Sequence, residues 1–209
     1  MNTVPDGLGV DRIHLWRGER HVLKGVSFTL ARRQLLQIGG ANGTGKTTLL
    51  RVVCGLLRPE QGEVTWLGQP IAKVRADFED TLAYASHEPA LKADLTALEN
   101  LRFGVGLKRR VSLEELRASL ERTGAASCAD LPARVLSAGQ RRRVALARVL
   151  AMNASLWLLD EPFANLDAAG AGMLTELLQS HVRGGGAALV VAHHDLKVDV
   201  DLRRLELGP

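Results

Sequence analysis

The sequence has few aromatic residues and only two cysteines, and each shortage narrows what it can be. Phe, Tyr and Trp make up 4% of the 209 residues, while 46% are hydrophobic. A core is therefore affordable, and it must be mostly Leu, Val and Ala. Cys54 and Cys128 form no C-x-x-C pair, so no disulfide framework can be inferred and a reduced, cytoplasmic setting is the natural reading. Long apolar runs are missing too. No stretch approaches 18 uninterrupted apolar residues, so nothing is expected to span a membrane. Met1 to Asp11 holds Pro5, two glycines and two acids with no apolar h-region, which argues against a signal peptide. A strong excess of one charge is also missing. The formal net charge of +4 suits nucleotides and acidic surfaces but is too mild to argue for a nucleic-acid partner. No repeat, low-complexity tract or linker interrupts the chain, whose length fits one large domain or a domain with a sizeable insertion.

What is present is concentrated between Leu35 and Gly55. Leu35-Leu36-Gln37-Ile38 is long enough for one buried strand, and Leu49 to Cys54 reads as a helix with Cys54 on its apolar face. Between them stand Gly39, Gly40, Ala41, Asn42, Gly43, Thr44, Gly45, Lys46, Thr47 and Thr48. Gly40, Gly45, Lys46 and Thr47 fit G-x-x-x-x-G-K-[ST], the phosphate-binding loop. A triphosphate is a dense anion that needs many converging donors. Glycines let backbone N–H groups turn inward and approach closely, and the helix start adds free N–H groups and its dipole. Lys46 supplies a full charge to the β- and γ-phosphates, and the Thr47 hydroxyl is a ligand for Mg²⁺. The ligands expected from this stretch are a triphosphate and Mg²⁺.

Around this centre the pattern predicts antiparallel strands over Leu8–Leu15 and His21–Leu30, joined by a turn over Trp16–Arg20, and leading into a parallel core. Further strands are expected at Glu63–Trp66 and Leu82–Ala85, with turns over Pro59–Gly62 and Leu67–Pro70. Thr96–Phe103 and Ser112–Arg122 read as helices, the second with an S-x-x-E capping box from Ser112 to Glu115. The region from about Pro89 to Arg134 thus reads as a mostly helical insertion. Its basic run Lys108-Arg109-Arg110 is either a solvated face or a contact for a partner or anionic headgroups. A helix over Ala138–Met152, a buried strand over Ser155–Leu159, a helix over Ala168–Val182, a buried strand over Ala187–Ala192 and an edge strand over Leu202–Leu207 complete an α/β chain.

Two further motifs carry chemistry. Leu156 to Pro162 is an apolar strand ending in Asp160 and Glu161. A buried strand has no use for charge, so the acids belong at its exposed carboxyl end, where α/β sheets bind ligands. Asp160 is placed to hold Mg²⁺ and Glu161 to orient or deprotonate an attacking water; the plain alternative is a helix cap with a neighbouring acid. Leu136-Ser137-Ala138-Gly139-Gln140 precedes an arginine-rich helix. Taken alone, it is either a second anion-binding helix terminus or an ordinary cap.

Phosphate loop, L-S-x-G-Q before an Arg-rich helix, a strand ending in D-E-P, then Asn165-Leu166-Asp167, in that order and spacing, resemble the ATP-binding-cassette (ABC) ATPases over nearly the whole chain. The resemblance implies an ABC-type nucleotide-binding domain spanning residues 1–209. That fold has a phosphate-loop core of mostly parallel sheet with flanking helices, an N-terminal antiparallel β subdomain and an inserted helical subdomain at about 89–134. It implies a head-to-tail pair of such domains, with ATP between one subunit's phosphate loop and the other's signature motif. Ser137 and Gly139 would then contact ATP held on a second copy of this chain, and Asp167 would link the two sites. Trp16 falls where the family stacks an aromatic on adenine, although a partly buried core Trp reads the same. The family's switch histidine is assigned to His193 by a gap-free match from the glycines at 184–186, against His194 by its local string. Glu161 and His193 are thus the expected catalytic pair. One position departs from pattern: the family's loop glutamine is absent from Ser86-His87-Glu88-Pro89, leaving His87 or Glu88 in its place.

Within the family, the strings Gly62–Ile71, Leu95–Phe103, Leu136–Gln140 and Leu156–Phe163 are most similar to the haem exporters of bacterial cytochrome c maturation. That resemblance implies a peripheral subunit on the cytoplasmic face of the inner membrane. It would be held by small multi-spanning partners of the CcmB, CcmC and CcmD kind, and its ATP cycle would release a haem-loaded chaperone. Other readings are an ordinary ABC importer or exporter subunit, a soluble non-transport ATPase, and a small-molecule phosphate-loop kinase.

Overall fold

The computed structural model describes residues 6–208, so residues 1–5 of the stretch read above for a signal peptide lie outside the described residues. The chain runs β1 (Gly7–Arg17), β2 (Arg20–Ala31), β3 (Gln34–Gly39), α1 (Lys46–Val53), β4 (Gln61–Trp66), β5 (Gln69–Pro70), α2 (Arg75–Thr81) and β6 (Leu82–Ala85). It continues through α3 (Ala97–Gly106), α4 (Leu113–Arg122), two short 3₁₀ turns, α5 (Ala138–Ala151), β7 (Leu156–Asp160), α6 (Ala168–Arg183), β8 (Ala187–Val191) and β9 (Asp201–Glu206).

Two sheets form. An antiparallel one has the order β2-β1-β4-β5, and a five-stranded one has the order β6-β7-β8-β3-β9, parallel throughout. Strand β8 is apolar throughout and β7 is apolar up to Asp160, because both faces of the sheet are covered there. Leu156 and Leu158 of β7 face a core shared with α1 and the antiparallel sheet. Trp157 and Leu159 face the opposite core, against Leu174, Leu177 and Leu178 of α6 and Leu146 and Val149 of α5. Burying each such leucine contributes about 1.5–3 kcal/mol. A third cluster joins α3 and α4 to the remaining side of α5 through Leu101, Val105, Leu116, Leu120, Val144 and Ala147.

The helix starts are written in the sequence. Ser112 and Glu115 close the expected capping box on α4, Thr96 and Glu99 close another on α3, and Ser137 and Gln140 a third on α5. Several local expectations need correction. Trp16 and Arg17 belong to β1 and Arg20 to β2, so the turn is only Gly18-Glu19. A two-residue hairpin with glycine first matches the strand twist, and Gly18 has φ 57. Gln69-Pro70 pairs with β4 instead of staying in a turn. Helix α2 was not expected; seven residues give too little periodicity, and its buried anchor is Phe78, packed on Trp66 at 5.7 Å. The basic run is exposed at Lys108 and Arg110, as a solvated face would be, but two of its side chains are also tied to the fold. Lys108 Nζ donates to the carbonyls of Glu79 and Leu82, and Arg109 Nε to that of Ala151 at the end of α5.

Because all five strands of the larger sheet run the same way, their carboxyl ends lie along one edge. Asp160 sits level with Val191, and Val191 with Ile38. The segments leaving β6, β7, β8 and β3 therefore meet.

Candidate active site

The loop leaving β3 turns through three left-handed glycines: Gly40 (φ 128), Gly43 (φ 80) and Gly45 (φ 99). Two of them are also pressed from outside. A Cβ at Gly40 would lie 2.6 Å from the Leu207 carbonyl oxygen, and one at Gly45 would lie 3.0 Å from the side chains of Leu23 and Val22. Gly45 is the N-cap of α1, so the loop ends on the free N–H groups of that helix. Lys46 is 6% exposed and its ammonium curls back to donate to the Gly40 and Ala41 carbonyls at 2.6 and 2.9 Å. Arg20 donates to the Gly43 carbonyl at 2.8 Å. Over the loop lies a cavity of about 400 Å³ lined by Asn42, Gly43, Gly45, Lys46, Thr47 and Thr48, with Arg17, Arg20, Val22 and Glu161. Converging backbone N–H groups, three cationic side chains and one carboxylate suit a polyphosphate with a water beside its terminal group.

Asp160 closes β7 with 0% exposure, and neither carboxylate oxygen has a hydrogen-bond partner among the described residues. Burial pushes its pKa up and the adjacent Glu161 adds to that. The Thr47 hydroxyl pulls the other way, near enough to favour the charged form without reaching a well-formed hydrogen bond. A buried carboxylate with no partner is costly unless a cation completes it, so Asp160 with Thr47 fits a hard divalent ion. No group of three or more His, Cys, Asp or Glu is arranged to hold a metal ion by itself among the described residues. That is consistent with an ion that takes its remaining oxygens from phosphate and water.

Glu161 follows with φ 48, a left-handed backbone that non-glycine residues rarely adopt. Its N–H donates to the Val191 carbonyl at 3.0 Å. The turn lifts the side chain out of the sheet, where Oε1 meets His193 Nε2 at 2.8 Å and Oε2 lies 3.4 Å from His87 Nδ1. Of the two candidate histidines, His193 reaches this carboxylate, while His194 packs edge-on against Phe163. Of the two candidates in the loop after β6, His87 reaches it, while Glu88 is exposed. The His193 segment is held by Gln37, whose amide donates to the His194 carbonyl at 2.8 Å and accepts from Leu196 N–H at 3.1 Å.

Trp16 does not line the cavity. Its ring stacks on His21 at 3.9 Å, and His21 hydrogen-bonds His14. Ser137, Gly139 and Asp167 do not line it either. The Ser137 hydroxyl accepts from Gln140 N–H at the start of α5, and a Cβ on Gly139 would sit 2.8 Å from the Asn165 carbonyl oxygen. Asp167 caps α6 through Gly170 N–H and pairs with Arg143 at 2.8 Å. Arg17, Arg20 and Gln37 escaped the sequence reading. The one signal for Gln37 was an amide inside an otherwise apolar strand.

The family model described as ABC transporter matches residues 23–164. A curated relative from Methylococcus capsulatus, named a cytochrome c biogenesis ATP-binding export protein, is 48% identical over 92% of this chain and 93% of its own length. One of the same name from Escherichia coli is 44% identical over 91% of each chain. Among solved structures, a putative ABC transporter ATP-binding protein from Pyrococcus furiosus superimposes with a TM-score of 0.83 at 24% identity over 96% of each chain. A dimeric ATP-binding cassette in a post-hydrolysis state, bound to ADP and phosphate, superimposes at 0.79 with 26% identity over 90% of this chain and 88% of its own.

Proposed function

This chain belongs to the ABC transporter family and is an ATP-binding, ATP-hydrolysing cassette, and from that premise we propose that it powers a bacterial cytochrome c biogenesis export complex. The observation that carries this reading is the 48% identity to the Methylococcus export protein across nearly the full length of both chains.

ATP lies with its phosphates over the loop from Gly40 to Thr48. Lys46 leaves its two carbonyls for the β- and γ-phosphates, and backbone N–H groups from Ala41, Asn42, Gly43, Thr44 and Gly45 take the rest. Asp160 and Thr47 would hold Mg²⁺, which neutralises charge building on the phosphates; the orphaned, buried oxygens of Asp160 support that role. Glu161 is the base that takes the water's proton, and His193 steadies it while contacting the γ-phosphate. Trp16 offers the ring face not covered by His21 to adenine. Signature residues Ser137 and Gly139 lie away from this chain's own cavity, which supports their serving the ATP of a second copy in a head-to-tail dimer, with Asp167 between the sites. Solved cassettes of similar fold are dimeric. The whole chain is read as a single cassette with a helical subdomain at about 89–134.

Among the described residues no helix is long and apolar enough to cross a membrane. We place the subunit on the cytoplasmic face of the inner membrane, held by small multi-spanning subunits of the CcmB, CcmC and CcmD kind, with no role for nucleic acid. Purification from native membranes in mild detergent tests this. Small multi-spanning proteins together with a haem-carrying chaperone are expected; a different permease would keep the ATPase and discard the haem pathway.

A further inference from the structure

Arg142 of α5 is 1% exposed and faces no carboxylate within ion-pairing distance among the described residues. Its Nη1 donates to the Ser86 carbonyl at 3.1 Å and its Nη2 to the His87 carbonyl, while Nε has no partner. Burying a guanidinium costs several kcal/mol that a Met or Leu of similar volume would avoid. What the charge accomplishes here is to fix two consecutive carbonyls of the loop after β6. The planar fork suits that task better than a point charge.

The loop so fixed carries His87, whose ring stands 3.4 Å from Glu161 Oε2. His193 holds the other oxygen, Oε1, at 2.8 Å. The two histidines leave β6 and β8, the strands on either side of β7. A carboxylate turns easily about its last bond. Held at one oxygen only, it presents a changing lone pair to water. Polar contacts of this kind are commonly long without substrate and tighten once it is bound.

We propose that His87 is a positioning residue for Glu161 in ATP hydrolysis, anchored through its own backbone by Arg142. The two histidines fix the carboxylate plane from opposite sides, so that Glu161 presents one lone pair to the attacking water. This rests on Glu161 being the base in the function proposed above. His87 does not line the cavity over the phosphate loop, so its removal is expected to act on turnover and leave ATP affinity alone.

The test is steady-state ATPase activity of the full chain, with kcat and KM separated. His87 is half exposed, so His87→Ala leaves the core intact. That variant is expected to lower kcat by ~10-fold or more, since small misplacements of catalytic groups cost up to about 10², with KM for ATP unchanged. His87→Asn keeps an N–H donor near the Nδ1 position and recovers most of the rate. Arg142→Lys lowers kcat likewise and adds nothing further in the His87→Ala background. Wild-type kcat in His87→Ala, a rise in KM with no recovery by His87→Asn, or full additivity of the two losses would overturn the proposal. Glu161→Gln run in parallel separates the two readings. Normal turnover there removes the base and this proposal with it, whereas lost turnover beside an unaffected His87→Ala removes the His87 step alone.

Discussion

Asp160 shows a single residue set against the stability of the fold that carries it. Its carboxylate is fully buried with no hydrogen-bond partner, and burial raises its pKa. Replacing it with Asn removes a desolvated charge and keeps the shape. Asp160→Asn is therefore expected to raise the stability of the nucleotide-free protein by ~1 kcal/mol or more. It should also abolish the extra rise in Tm that Mg²⁺ gives over ATP alone. Thermal unfolding with and without Mg²⁺-ATP measures both; a variant less stable than the parent would mean that the carboxylate is satisfied in a way the fold does not show. Glu161 carries its cost in the backbone instead, at φ 48, a conformation worth about 1–3 kcal/mol of strain. Two adjacent residues thus each give up stability for position.

Helices α4 and α5 begin with the same device, a serine cap closed by a residue three positions on. Losing the hydroxyl should cost each helix ~1 kcal/mol. Ser112→Ala is expected to do that and leave ATP turnover alone, because α4 packs on α3 and α5 and none of its residues lines the cavity over the phosphate loop. Ser137→Ala should cost the same stability and lower turnover as well, because in the shared-site dimer proposed above the capping serine would face the second copy's ATP. Comparing Tm shifts with ATPase rates separates the two; equal rates would reduce the signature to a plain cap. Helix α6 carries a pH dependence. His181 lies against Trp157 at 3.9 Å, and burial lowers its pKa, with the Ala187 and Ser155 carbonyls pulling partly back. Below an unfolded-state pKa of about 6.5 the unfolded chain therefore binds more protons than the folded one. Stability from this group is complete above that pH and is lost as pH falls through it. His181→Phe should flatten the fall in Tm between about pH 7 and 5.5; an unchanged slope would move the effect to another group.

At the scale of the whole molecule, the central prediction concerns two copies. Glu161→Gln removes the proposed base but none of the proposed donors to phosphate, so ATP should hold the variant as a dimer that ADP does not. Size-exclusion chromatography with each nucleotide reads this, and a monomer under both would remove the shared-site arrangement. What was legible in the sequence follows the same scale. Gly40 to Thr48 could be read because one short stretch makes a site with its own backbone, and Ser112 because its cap partner is three residues away. Thr96 carries the same spacing to Glu99 and its box was missed. Arg20, Gln37 and Arg142 could not be read, since they act on Gly43, His194 and His87, 23, 157 and 55 residues distant. The carbonyl contacts of Lys108 and Arg109 were hidden for the same reason: only the fold brings Glu79 and Ala151 near.

Strand β3, which delivers the phosphate loop, has β8 on one side and β9 on the other. Gln34 reaches Asp201 across 167 residues, and Leu207 N–H closes on the Gly39 carbonyl. A ribosome making this chain therefore releases the loop early and both of its neighbours late. At about 5–20 residues per second, β3 waits roughly 10 s or longer with both edges unpaired. An unpaired edge invites a foreign strand, so the interval before β9 emerges is when a nascent chain is most exposed to mispairing.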